Sequence, residues 1–212
     1  MSNVTLDLNL FLKESKNTLL NPKSYFSKMK VSGGMTEPLV KAAAYGTITG
    51  LIYLLCYLFK IRVLGVGYVG EAVGFLAFIK IIFGAVIGLF LGAVLVLIIS
   101  SICKGITDFE ANLRVSSSVL AVMPIYAILS ISQAINLYFG TVISLIVFVY
   151  FLWLFYYGLA EALKCKKENV RIVCYVLTVL IIMFLVLNLR TYGNSDNLKI
   201  DSRENHKEFK KN

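Results

Sequence analysis

The chain has 212 residues, of which 58% are apolar and 16% charged, with a net charge of +9 and a mean hydropathy of +0.78. A soluble domain carries about 45–50% apolar residues with glycine counted and about 25% charged residues, so a water-soluble globular protein, a disordered chain and a disulfide scaffold are all excluded. What remains is a polytopic membrane protein.

The charged residues bracket the spans. A hydrocarbon core ~30 Å thick needs ~20 apolar helical residues. Lys41 and Lys60 enclose 18 uncharged residues, Lys80 and Lys104 enclose 23, Arg114 and Glu161 enclose 46, and Arg171 and Arg190 enclose 18. The 46-residue run suits two spans with a turn at Asn136–Gly140, where a polar residue, two aromatics and a glycine coincide. The expected fold is therefore all-α, a bundle of five transmembrane helices at about 39–59, 81–102, 115–138, 141–163 and 172–189. Continuous apolar runs argue against the ~10-residue alternating segments of a β-barrel.

Ahead of the bundle, residues 1–38 form a cytoplasmic leader with no signal-peptide pattern. Its leucines and lysines suit either a short amphipathic helix on the inner membrane surface or a loosely ordered segment. Asn21-Pro22 ends any helix that precedes it. Residues 61–79, with Gly65, Gly67, Gly70, Gly74 and Glu71, read as a partly immersed outer loop whose latter half can extend the second helix. Residues 191–212, with interleaved charges, read as a disordered tail.

With the N-terminus inside, the inner side receives 12 Lys and Arg and the outer side nine, of which Lys207, Lys210 and Lys211 lie far from any span. The positive-inside rule then favours N-in, C-out. The positive balance points to anionic membrane lipid as a contact; no nucleic-acid-binding module is visible.

Two glycine series stand out. Gly46 and Gly50 in the first span, and Gly84, Gly88 and Gly92 in the second, recur at spacing four and permit close helix approach. Packing within the bundle is the favoured role for the second series; assembly into a homo-oligomer, or with other membrane proteins, is the other. Pro124 should kink the third span. Glu161, at the end of the fourth, is a candidate for proton or ion coupling, although Lys164, Lys166 and Lys167 offer it an interfacial ion pair. Thr107 and Glu110 fit a capping box that starts the third helix. Cys103 and Cys165 fall at the inner face, where lipidation occurs in eukaryotes.

No catalytic residue, cofactor site or metal site is identifiable. His206 is the single histidine, and HExxH, G-x-S-x-G and phosphate-loop patterns are missing. A non-enzymatic scaffold or membrane-organising protein is expected; a small transporter or channel using Pro124 and Glu161 is the alternative.

Several short motifs occur in a particular order: Asn21, Pro22, Tyr25 and Phe26 before the first span, Pro38 at its entrance, Glu110 and Arg114 leading into the third, Pro124 within it, and Trp153 in the fourth. Together, from about Leu19 to Leu189, they resemble the Yip-domain family of five-span membrane proteins, named for Ypt/Rab-interacting proteins. The resemblance implies a five-helix, N-in and C-out bundle. Eukaryotic relatives act in vesicle traffic, bind small GTPases and form complexes with one another. This chain lacks their Asp-Leu-Tyr-Gly-Pro stretch and long cytosolic N-terminal region, so GTPase binding does not carry over. It is more similar to compact prokaryotic members, whose home is the cell membrane.

Overall fold

A computed structural model describes residues 8–61, 75–183 and 187. The tail at 191–212, most of the loop at 62–74 and the first seven residues lie outside the described residues. The chain divides into two compact units, Met1–Cys174 and Tyr175–Asn212. In the first unit the helices are α1 (Leu8–Leu20), α2 (Pro22–Lys28), α3 (Thr36–Leu58), α4 (Phe75–Ile102), α5 (Phe109–Val119), α6 (Val122–Ser130), α7 (Ser132–Ile135) and α8 (Leu137–Tyr157), closed by a π-helical turn, Gly158–Ala162. Residues 167–183 are also helical.

Four stretches among the described residues are long and apolar enough to cross a membrane: Thr36–Leu58, Phe75–Ile102, Phe109–Ile135 and Tyr138–Ala162. They correspond to the first four expected spans. Of the fifth, only residues 172–183 and Leu187 are described, all helical. The helices begin earlier than the charge brackets implied. α3 already contains Glu37 and Lys41, α4 contains Lys80 and residues 75–79, and α5 starts at Phe109, ahead of Val115. A charge ends an apolar run but need not end a helix when it is paired or can reach the interface.

Local chemistry explains the boundaries. Pro22 opens α2 in its first turn, where the missing amide costs nothing, and Asn21 separates it from α1. Leu8–Leu20 and Pro22–Lys28 are the helical parts of the described leader. Asp108, not Thr107, caps α5: its Oδ2 accepts from the Ala111 amide at 2.9 Å. Pro124 cannot donate to Leu120, and its ring crowds that carbonyl; the helix accordingly breaks between Val119 and Val122, where the Met123 amide donates to Leu120 O at 2.9 Å instead.

The hairpin turn sits at Asn136, which adopts extended dihedrals and accepts from the Phe139 amide at 3.0 Å. Gly140 does not stop a helix there, as expected from sequence, but lies inside α8. A Cβ at Gly140 would fall 2.5 Å from Gln133 Cα and 2.7 Å from Gln133 N, so α7 and α8 meet backbone to backbone. Gly140→Ala should cost ~2 kcal/mol or more through overpacking, measurable as a loss of denaturant resistance in detergent.

α3 packs chiefly on α4 and α6, and α4 also on α5. Ala42, Leu89, Ala93 and Leu113 form one buried cluster, and Phe11, Tyr45 and Ala121 another that draws α1 against the bundle. The close face of α3 is the one with glycines. A Cβ at Gly46 would lie 2.8 Å from Ala85 Cβ, and one at Gly50 2.8 Å from the Phe78 ring. The α4 series makes no comparably close approach among the described residues. Its buried face is Ala85, Leu89, Ala93, Val96 and Ser100. A Cβ at Gly84 or Gly88 would meet nothing described within 4 Å, and one at Gly92 makes only an ordinary contact with Ser116. Among the four spans α4 is the most apolar and the least covered, with 22% of its window buried against 39% in the others.

A candidate interfacial site under the N-terminal helices

The motif residues ahead of the spans converge. Phe26 is fully buried beside Gly158 and Val115, the glycine leaving room for both. Tyr25 Oη shares a 3.1 Å hydrogen bond with Ser118 Oγ. Tyr150 Oη donates to Leu19 O at 2.5 Å, and Ser15 Oγ bonds Tyr45 Oη at 2.8 Å. α1 and α2 are thereby fastened to α3, α5 and α8.

A chain of charges runs through the junction. Lys41 Nζ lies 2.8 Å from Glu14 Oε2 and 2.7 Å from Glu37 Oε1. Arg114 Nη1 reaches Glu37 Oε2 at 2.8 Å, its Nε reaches Glu110 Oε1 at 3.2 Å, and its Nη2 donates to Gly34 O at 2.9 Å. Glu110 Oε1 also accepts the Gly34 amide at 2.6 Å. Glu37 thus bridges two buried cations, and Arg114 ties α5 to α3 and to the turn before α3. That turn needs glycine: Gly33 and Gly34 have φ of 136° and 95°, and a Cβ on Gly33 would press on Arg114 Nη2 at 2.9 Å. The i,i+4 pairs Glu37–Lys41 and Glu110–Arg114 are readable from spacing; Glu14, Gly33 and Gly34 carry no sequence signal that joins them to the others.

Below this network is a polar cavity of about 680 Å³ bounded by α1, α2, α3 and α5. Its walls include Glu14, Lys28, Lys30, Glu37, Lys41 and Arg114. Asn21, Pro22 and Trp153 share a second, shallower recess of about 420 Å³. Pro38 is buried at the start of α3. Of the motif residues, Pro124 stands apart, in α6. Glu161 lies in the π turn and pairs with Lys167 at 3.1 Å. Its element packs on α2, α5 and α8, whereas that of Pro124 packs on α3, α7 and α8.

Two loops of the same face are clasped through their backbones. The Ile106 amide donates to Leu163 O at 2.8 Å and the Lys166 amide to Cys103 O at 3.0 Å. Ser100 Oγ and Asn112 Nδ2 both donate to Ile106 O, at 2.7 and 3.2 Å. Gly105 belongs to this clasp, since a Cβ there would collide with Cys165 Sγ, Ser100 Oγ and Leu163 O. Cys103 and Cys165 are buried in it, and burial pushes both thiols above the usual cysteine range. That disfavours the lipidation raised by their juxtamembrane position. In native membranes at neutral pH both should resist maleimide labelling and become reactive only on unfolding.

The chain matches a family model described as the Yip1 domain over residues 16–189. No curated protein and no solved structure matches it.

Proposed function

Starting from its membership of the Yip1-domain family, we propose that this multi-pass membrane protein is a non-enzymatic organiser that presents α4 to a partner helix in the bilayer, either a second copy or another membrane protein. The observation that carries this reading is the split between the two glycine series. Gly46 and Gly50 are consumed by α3–α4 packing, whereas Gly88 leaves backbone open on the least covered of the four described spans. Small residues that expose backbone are how helices associate where lipid removes the hydrophobic driving force. The charged groups described above serve attachment: Lys41 holds α1 through Glu14, Arg114 ties α5 to α3 through Glu37, and Glu161 is engaged by Lys167.

The helical stretch beginning at residue 167 supplies the fifth crossing, giving five spans with the N-terminus in the cytoplasm and the C-terminus outside the cell membrane. This agrees with the larger number of Lys and Arg on the N-terminal side. GTPase recognition is not part of the proposal.

Gly88→Leu separates partner docking from folding. The variant should keep the melting temperature of the wild type in detergent, yet lose crosslinked adducts formed through a cysteine placed at residue 91 in native membranes. Unchanged adducts, or a wild-type protein that gives none, would sink the reading.

A further inference from the structure

The polar cavity beneath α1 and α2 contains more cation than its own ion pairs use. Four cations, Lys28, Lys30, Lys41 and Arg114, face two carboxylates, Glu14 and Glu37. Glu110, on the far side of Arg114, still leaves an excess of one positive charge. Lys41 and Arg114 are buried and satisfied by the glutamates. Lys28 and Lys30 are exposed at the cavity and pair with no carboxylate among the described residues. The two cations that are not paired with these glutamates are therefore the exposed Lys28 and Lys30, above a floor in which Lys41 and Arg114 are already compensated.

The rim shows where this cavity lies. Leu10 lines it, and α1 exposes Leu8, Leu12 and Leu20 together with Lys13 and Lys16. A helix that exposes leucines interspersed with lysines suits the boundary of headgroups and acyl chains, with its apolar groups buried in the latter. An anion reaching Lys28 and Lys30 across such a rim meets acyl-chain depth on one side and polar donors on the other. The volume of about 680 Å³ is within the ~300–1,000 Å³ range of small-molecule sites.

The geometry points to a seat for the phosphate and glycerol of an anionic glycerophospholipid, with Lys28 and Lys30 as the phosphate contacts and the acyl chains passing Leu10 onto the leucines of α1. The inference gives a chemical class to the lipid contact of the proposed membrane organiser. It does not depend on α4, so failure of partner docking in Gly88→Leu leaves it standing.

The test uses the full chain in phosphatidylcholine nanodiscs with increasing phosphatidylglycerol, and reads retained lipid by native mass spectrometry. The wild type should retain phosphatidylglycerol over phosphatidylcholine at equal mole fraction. Lys28→Gln/Lys30→Gln should lower that retention about tenfold, with an unchanged melting temperature because both side chains are exposed. Lys13→Gln/Lys16→Gln, on the outer face of α1, should lower it much less. Equal retention of the two lipids, or a 28/30 double variant that behaves as wild type, overturns the inference. So does an equal effect of the 13/16 pair, which would mean general surface attraction. Displacement by millimolar glycerol 3-phosphate would assign the cavity to a soluble phosphate ester, and also overturns it.

Discussion

Arg114→Met should free the turn before α3 from the bundle and lower stability by ~2–4 kcal/mol. One guanidinium serves three acceptors on three parts of the chain: Glu110 within α5, Glu37 on α3 and Gly34 O in the turn between α2 and α3. Removing one partner of a buried ion pair costs ~3–5 kcal/mol because the other charge is left without compensation. The value here is reduced because Glu37 keeps Lys41 and is half-exposed, and Glu110 keeps the Gly34 amide. Arg114→Lys should be intermediate, since an ammonium retains the charge but cannot span three acceptors as a planar fork does. Denaturant unfolding in detergent gives the magnitude. Limited trypsin digestion gives the location, with cleavage at Lys28 and Lys30 appearing under native conditions. A variant as stable and as protected as wild type would show that the network is incidental.

Gly46→Leu should be at least as damaging, at or beyond ~3 kcal/mol, the upper end for overpacked cores. A Cβ at this position is already 2.8 Å from Ala85 Cβ and 3.2 Å from Ile82 Cα. The backbone of α4 cannot retreat without disturbing the Ala42, Leu89, Ala93 and Leu113 cluster, which joins α3, α4 and α5. Thermal challenge followed by size-exclusion chromatography should show early loss of the folded peak. Gly88→Leu is the matched control, because the same side chain on the other helix enters open space. If both variants melted alike, the assignment of inner and outer glycine faces would be wrong.

These contrasts show what the sequence could and could not convey. The four spans were legible because transfer of continuous apolar residues into lipid needs no tertiary information. So were the breaks at Asn21-Pro22, Pro124 and Asn136, which depend on backbone chemistry within a few residues. The facing of α4 was not. A helix that is apolar on all sides has no moment to mark its inner face, and in lipid Gly84, Gly88 and Gly92 look as suited to the core as Ala85, Leu89 and Ala93. The ion network was half legible. Glu37–Lys41 and Glu110–Arg114 have helical spacing, but Arg114 joins Glu37 and Gly34 across some 80 residues of chain, a separation with no local signature. Charge brackets treat Arg114 as a boundary, whereas it is an interior anchor of the helix that starts at Phe109.

The backbone clasp between Ile106, Leu163, Cys103 and Lys166 has a consequence for how the molecule is made. Its two halves flank the hairpin formed by the third and fourth spans, so neither hydrogen bond can exist until that whole hairpin has been synthesised and threaded through the bilayer. Until then the Ile106 amide and the Cys103 carbonyl must be hydrated or held by other groups. Closure therefore requires insertion of both crossings. A hairpin that stalls on the wrong side leaves Cys103 accessible, marking the misassembled chain by a thiol that the finished protein conceals.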